Sequence, residues 1–550
     1  MSNSRLNVWF FFLLLLSAFS FAAFNGRLHL FDWDEINFAE SAREMIVTGD
    51  YMTVRIDYLP FWEKPPLFIW MQAFSMKVFG VNEFAARFPN TIAGILSLAV
   101  LFLAGKRFFD RRFGMIWCLT YVVSFLPFLY FKSSLIDPWF NLFIFSGILY
   151  FICYLENRSK RAMLISSAVL IGLAVLTKGP AALLISLLTA GIFFLLVRFR
   201  GFIRLKDILI WCGIFVITGG FWFILMILQG KFDTIVDFIV YQARLFSTED
   251  AGHGGFPLYH VVVLLIGVFP ASIIAIPGFF KNRTTEESQH NFRKWMLILF
   301  WVVLILFSIV KTKIVHYSSL CYFPLTFMAA LEIHYLLDHK KLFSRGLRII
   351  LLVMMGIWGL FSLAAPLAMG PGKDHLLTLL AKSDAATLSM LGADVTWPWY
   401  TMIPGVILIL TMGLFIFYRR HLRNQLIVLA AGSFLFINTG IWFFTPRVEG
   451  YSQRANIEFF ESLQGKDVYF RTLGIKSYAP YFYARKEQPS GPREYSKTWQ
   501  FYGNIDKPVY CSFSLNKKDA YLKKYFNLKV LYEKNGFVFC VRNPNIPSQP

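Results

Sequence analysis

The chain has little charge and little cysteine for its size. Only 16% of its 550 residues are Asp, Glu, Lys or Arg, against 56% apolar and 18% aromatic, and its mean hydropathy is +0.53. A soluble domain so composed would present one adhesive apolar surface, which excludes the soluble classes. The six cysteines include no C-x-x-C pair, which excludes a thiolate cluster. Cys118, Cys153, Cys212 and Cys321 fall in or beside apolar runs and read as small packing residues. Cys511 and Cys540 stand in the polar C-terminal region, where they could pair if that region faces an oxidising compartment. There is no internal repeat and no low-complexity tract. Acids are scarce too: 33 Asp and Glu against 54 Lys and Arg leave a net charge of +21. Nucleic acid is not the implied partner, because most of the basic residues lie in short loops between apolar runs, where membrane topology is set. The others suit an anionic lipid or phosphate.

What the chain does have is a series of apolar runs long enough to cross a hydrocarbon core about 30 Å thick. They lie near 7–24, 88–105, 114–131, 138–155, 162–177, 180–197, 208–229, 257–279, 296–310, 317–337, 347–369, 400–418 and 425–444. The expected class is an all-α polytopic membrane protein with about thirteen transmembrane helices. Alternate loops carry Arg5, then Lys106 to Arg112, Arg158 to Arg161, Arg198 to Lys206, Lys281 to Lys294, Lys340 to Arg348 and Arg419 to Arg423. The positive-inside rule makes these cytoplasmic and puts the N-terminus on that side. The first run has a weakly charged start and about eighteen apolar residues, long for a signal peptide, so it reads as a retained helix.

The outer side then receives 25–86, 230–256, 370–398 and 445–550. In the first, Phe38, Ala39, Ala42, Met45 and Ile46 make a helical stripe with Glu40, Arg43 and Glu44 opposite, as in an interfacial helix. Pro66 to Phe79, closed by Gly80, predicts a second. The expected division is a membrane module over 1–445 and a small α/β domain over 446–550. In that domain strands are predicted at 467–471, 509–513, 530–532 and 537–542, with a helix between 515 and 526. The tail from Pro544 reads as disordered.

The chemistry-bearing residues gather on the outer side. Asp34 and Glu35 follow the first span closely, and Asp34, set among Phe31, Trp33 and Phe38, is expected to be partly desolvated and so a better base. Glu35 is equally suited to a helix start, and Asp32 reads as a solvated loop acid. Glu63 and Lys64 stand side by side before Pro65-Pro66 and would suit a divalent cation and a phosphate, or simply a charged turn. Asp137-Pro138 is an ordinary helix-capping pair, yet it lies at the depth of Asp34. Lys178 at a Gly-Pro break, and Lys311 and Lys313 at another outer junction, run against the orientation rule and point to an anionic ligand, most naturally a lipid phosphate. Lys132 reads as a snorkelling lysine. His253, in the Gly-rich Glu249 to Phe256 segment, is a candidate nitrogen ligand to a cation with Glu63. His316-Tyr317 is either a head-group contact or structural.

These residues, in this order, resemble the GT-C glycosyltransferases, and within them the aminoarabinose (lipid A) transferase and protein O-mannosyltransferase group (family 39/83 type). The resemblance rests on Trp33-Asp34-Glu35, Ala39-Glu40, Arg43-Glu44-Met45, Gly49-Asp50, Glu63-Lys64-Pro65, Asp137-Pro138, Thr177-Lys178-Gly179, His253, Lys313 with Tyr317, and Pro446-Arg447-Val448. It extends to about residue 450. It implies transfer of a sugar from a polyprenyl-phosphate donor to a lipid A-like glycolipid or a protein, with inversion, at the outer face of a bacterial inner membrane, the C-terminal domain being periplasmic. It further implies Asp34 as the catalytic aspartate with Asp137 beside it. Lys64, Lys178, Lys313 and Tyr317 would lie at the donor phosphate, Glu63 and His253 would bind a divalent metal cation, and Glu35 would support the site. Asn37 departs from the pattern: the aminoarabinose transferases typically carry an arginine there, which puts the identity of the sugar in doubt.

The alternative is a transporter or flippase of lipid-linked sugars. Transporters tend to show inverted repeats, broken helices near the midplane and charges within spans, whereas here the spans are clean and polar residues collect on one face. A sensor with an outer binding domain leaves so many spans without a purpose.

Overall fold

The structure, a computed structural model, describes residues 3–61, 63–247 and 254–544. The C-terminal tail from 545, Trp62 and His253 lie outside the described residues. Membrane-length helices open the chain at α1 (Asn3–Ala22), followed by the short α2 (Asp34–Thr48) and α3 (Leu67–Phe79) and by α4 (Glu83–Phe108). Between α2 and α3 lies a two-stranded hairpin, β1 (Arg55–Ile56) and β2 (Leu59–Pro60). Then come α5 (Arg111–Val122), α6 (Phe125–Tyr130), α7 (Asp137–Glu156), α8 (Arg161–Lys178), α9 (Ala181–Leu196), α10 (Leu205–Leu228) and α11 (Phe232–Ser247). The second half holds α12 (Tyr259–Gly267), α13 (Ala271–Phe280), α14 (Glu287–Ile309), α15 (Tyr322–Asp338), α16 (Arg345–Met369), the short α17 (Lys373–Leu379) and α18 (Ala385–Leu391), α19 (Ile403–Phe417) and α20 (Leu422–Ser452).

Every apolar run of the sequence is helical, but among the described residues 10 helices are long and apolar enough to cross a membrane, or up to 11 if one bent pair counts as a single span. The difference from thirteen has three sources. The run 114–131 divides into α5 and α6; α9 has only 16 residues; and α12 and α13 meet at 116°. Pro270 sits at that bend and cannot continue the α12 hydrogen-bond ladder.

Two elements of the first loop shape the face where the loops gather. α3 ends at Gly80, as predicted. α2 forms too, but its polar stripe is not in water: Glu40, Arg43 and Glu44 are buried. Arg43 makes two 2.7 Å bonds to Glu40 and donates to the Lys486 carbonyl of the C-terminal region at 2.9 Å. A helix with apolar residues on one side and a paired acid and base on the other has thus been covered on both. Burial, with Glu40 adjacent, pushes the Glu44 carboxyl well above the usual carboxylate range.

α20 runs through Pro446 to Ser452, so the expected domain boundary falls inside a helix. Beyond it lie α21 (Arg454–Glu461), β3 (Tyr469–Leu473), α22 (Ala479–Tyr483), α23 (Lys497–Tyr502), β4 (Val509–Ser514), α24 (Lys518–Lys524), β5 (Lys529–Lys534) and β6 (Phe537–Arg542). All four predicted strands are present, in the order β3-β4-β6-β5, with β3 and β4 parallel and the other pairs antiparallel. Cys511 and Cys540 are register partners across β4 and β6, both buried as free thiols.

Candidate active site

Five stretches far apart in sequence meet at one end of the helices. Asp34 opens α2, and Asp137 opens α7. Lys178 is the last residue of α8. Glu63 and Lys64 lie in the loop between β2 and α3, and His316 and Tyr317 lie in a 3-10 turn over Val315–Cys321 ahead of α15. Lys178 can end α8 there because the next residue is glycine: Gly179 has φ +104, and a Cβ on it would fall 2.8 Å from the Phe238 ring.

Asp137 does not cap its helix. The N-cap position is Ile136, Asp137 being the first helical residue, and its Oδ1 accepts from Lys178 Nζ at 2.6 Å. Its Oδ2 is buried and has no hydrogen-bond partner among the described residues. A buried carboxylate oxygen left unsatisfied is uncommon and marks a place where a ligand or water belongs. His316 joins the two acids: its Nε2 lies 3.7 Å from Asp34 Oδ2 and 3.9 Å from Asp137 Oδ2. Asp34 is the open member of the group, its side chain 31% exposed against 3% for Asp137.

The cations surround this acidic centre. Lys178 Nζ lies 5.2 Å from the Tyr317 ring centroid and 5.7 Å from that of Phe140. Lys64 Nζ lies 5.4 Å from the Tyr241 ring. Burial lowers the Lys64 ammonium from its ordinary value; Glu63 opposes this, Lys178 adds to it, and Asp34 and Asp137 oppose it. Lys64 therefore feels both acids and the other lysine, which places it in the same cluster. Glu63 Oε2 accepts from the Tyr241 hydroxyl at 3.0 Å, and its carbonyl from Gln242 at 3.3 Å. Both come from α11, an element the sequence reading did not mark. With His253 outside the described residues, Glu63 is the described half of the expected metal pair.

Other candidates have structural partners. Glu35 is fully engaged: its two oxygens take Arg87, the Phe31 amide at 2.8 Å and the Ser134 amide at 2.5 Å. Burial alone would raise its pKa, but Arg87 and these amides outweigh it and hold the carboxyl below the usual range. It fixes the loop that carries Asp34. Lys313 donates to the carbonyls of Phe307, Ser308 and Val310 at 3.1, 2.5 and 2.6 Å and so caps α14. Asn37 is buried, and its Oδ1 has no hydrogen-bond partner among the described residues.

Asp32 corrects the sequence reading. It is not a solvated loop acid: its Oδ1 accepts from the Tyr478 amide at 3.2 Å, and its own amide donates to Gln453 at 2.9 Å. Burial lifts its carboxyl to about 6, against the lowering effect of Ser477 and the Tyr478 amide. The neighbouring Trp33 ring packs on Tyr478 at 5.2 Å and under Lys476 Nζ at 3.6 Å. The segment after β3 thus forms one wall beside Asp34. A cavity of about 280 Å³ lies elsewhere, between α7, α8, α9, α10 and α14; its walls are mostly apolar and include none of the site residues.

Residues 63–225 match the family described as dolichyl-phosphate-mannose-protein mannosyltransferase. The chain is 28% identical over 314 residues to the undecaprenyl phosphate-alpha-4-amino-4-deoxy-L-arabinose arabinosyl transferase of Photorhabdus laumondii subsp. laumondii, a match covering 56% of each. The chain thus spans little more than half the length of that relative. ArnT from Cupriavidus metallidurans, solved bound to undecaprenyl phosphate, superposes with a TM-score of 0.77 at 17% identity over 100% of both chains. The archaeal oligosaccharyltransferase AglB from Archaeoglobus fulgidus, solved with an inhibitory peptide and a dolichol-phosphate, gives 0.51 at 11% identity, covering 99% of this chain and 75% of that one. At such identities the shared property is the fold: a multi-pass helical membrane protein of GT-C architecture with a small C-terminal sheet.

Proposed function

We propose that the chain is a glycosyltransferase of a bacterial inner membrane, moving a sugar from a polyprenyl phosphate to a glycolipid or protein acceptor on the outer face, with inversion at the anomeric carbon. The observation that carries this reading is the unsatisfied, buried Asp137 Oδ2 beside Asp34, His316 and two lysines. Asp34, the exposed acid, takes the proton of the acceptor hydroxyl as its oxygen attacks the anomeric carbon. The bond from that carbon to the phosphate oxygen breaks, and polyprenyl phosphate leaves with the electron pair. Charge grows on the leaving phosphate during the step, so Lys64 and Lys178 stabilise the transition state more than the ground state. Asp137 holds Lys178 in place, and His316 bridges the two acids. Lys313 fixes the end of α14, whose Phe307 packs on the Tyr317 ring at 5.2 Å. Glu63, with His253, would hold a divalent cation, which would add positive charge at the same phosphate. The wall of Trp33, Lys476 and Tyr478 faces the acceptor side.

The relatives' names and the fold support this reading, as does the clustering of lysines at one end of the spans. The orientation that makes this end periplasmic follows from the basic loops at the other end. The test uses purified full-length protein with undecaprenyl-phosphate aminoarabinose or undecaprenyl-phosphate mannose as donor, and lipid A or a hydroxyl-bearing peptide as acceptor. Acceptor-dependent release of undecaprenyl phosphate, matched by the acceptor's mass gain, is expected. No release with any pair, together with movement of a fluorescent lipid-linked sugar between leaflets of reconstituted vesicles, would establish the transporter instead.

A further inference from the structure

A second group of metal-ligating side chains lies at the seam between the first loop, the start of α4 and the C-terminal region. His29, Glu83 and Glu461 each offer one ligand atom, and these atoms lie within 4.8 Å of one another. We propose that this group is a divalent-cation site of the Zn²⁺ or Mn²⁺ type, separate from Glu63, which fastens the C-terminal region to the membrane module.

The imidazole is oriented for ligation. His29 Nδ1 is bonded to Glu449, whose side chain is 1% exposed; the other oxygen of Glu449 is held by Arg454 Nη2 at 2.9 Å. A buried carboxylate accepting Nδ1–H leaves the Nε2 lone pair outward, the arrangement that second-shell carboxylates impose on metal-bound histidines. Nε2 faces Glu461 Oε2 at 3.5 Å. The ring also meets Tyr483 edge-on, at 5.3 Å between centroids, which fixes its plane. The backbone is held as well: Arg87 Nη2 donates to the His29 carbonyl at 2.8 Å, and Leu30 N donates to the Tyr483 hydroxyl at 2.6 Å. The third donor comes from the first turn of α4, where Asn82 accepts from the Ala85 amide and sets the helix start. One imidazole and two carboxylates are three protein ligands, and the exposed side at Glu461 (42%) leaves room for water in the remaining position. Three carboxylates, Glu83, Glu449 and Glu461, stand around His29; of the nearby guanidiniums, Arg454 is held by Glu449 and Arg87 by Glu35, while Arg485 lies near Glu83. Without a metal cation, His29 would sit as an imidazolium between Glu449 and Glu461.

The position gives the site a purpose. His29 is five residues before Asp34, and Glu461 ends α21. A cation here ties the loop carrying Asp34, the proposed base, to the region that walls its acceptor side.

The full-length protein in detergent is stripped with chelator and titrated with ZnCl₂ and MnCl₂ by calorimetry, with bound metal counted by mass spectrometry. Glu83→Gln, Glu461→Gln and the double variant are compared, each in the wild-type and Glu63→Gln backgrounds. The expected result is one metal equivalent that persists in Glu63→Gln, binds at least tenfold more weakly in each single variant and is absent from the double variant. In the Glu63→Gln background, metal should raise the unfolding temperature of the parent and not of the double variant. Equal stoichiometry in wild type and double variant, or no metal taken up by the wild type, would overturn the site and leave a plain imidazolium ion pair.

Discussion

Asparagine at Asp34 removes one charge and one proton acceptor and changes the shape of the side chain hardly at all. The structure separates its two possible effects. Asp34 is 31% exposed, and its neighbour His316 stands at 3.7 Å, beyond a good hydrogen bond. Loss of the charge should therefore cost no more than an exposed ion pair does, about 0–1 kcal/mol of stability. As the acceptor's base, however, it should supply about a hundredfold to ten-thousandfold in rate, which is about 3–5 kcal/mol of barrier. Asp34→Asn should thus melt within a few degrees of wild type, bind undecaprenyl phosphate as wild type does, and lose turnover by at least a hundredfold. Turnover is followed by mass change of the acceptor under single-turnover conditions, with donor-lipid binding measured separately. Turnover within tenfold of wild type, in a variant that binds donor normally, would refute the assignment of Asp34 as base.

Five other outcomes are expected. Asp137→Asn leaves the Lys178 ammonium, only 15% exposed, without its partner; it should cost about 3 kcal/mol, seen as a lower unfolding temperature, and Lys178→Ala should weaken undecaprenyl phosphate binding at least tenfold. Alanine at Glu63 or His253 should lower bound metal and activity together, and full activity in chelator with both replaced would remove that cation from the reaction. Asp32, raised from 3.8 to about 6, binds more protons folded than unfolded across that window, so stability should fall as pH rises from about 4 to 6, by up to about 3 kcal/mol; Asp32→Asn should flatten that slope in a melting series. Arg43→Met strips the buried Glu40 of its counter-charge and should cost about 3–5 kcal/mol, read as faster proteolysis of the region after Arg454.

Much of the fold was legible because apolar length and loop charge report directly on membrane crossing. Each apolar run became helix, and the strands of the C-terminal sheet fell within a few residues of their expected places. The span count was less legible, because a composition window cannot see that Pro270 bends one span or that a connection after Val122 breaks another. The site was legible where a residue defied its surroundings: Lys178 as a cation on the wrong side of the rule, Asp34 as an acid among aromatics. It was not legible where meaning depends on a distant partner. Asp32 and the Glu40–Arg43 face read as solvated because the segment that buries them begins some 400 residues later. His316 gave no pattern to mark it as the bridge between two acids, and Tyr241 lies in an ordinary amphipathic stretch. Lys313 had the right position for a phosphate, but its ammonium meets the carbonyls of its own junction.

The two lysines that cap helix ends change what the chain's charge means. Lys132 Nζ donates to the carbonyls of Ser20, Phe21 and Ala23 at the end of α1, much as Lys313 does on α14. Burial, with Arg87 near, brings Lys132 down to about 7. A residue count therefore overstates the positive field that a passing anionic lipid meets on that side. Amine-reactive labels should find these two lysines late, after those that face open solvent.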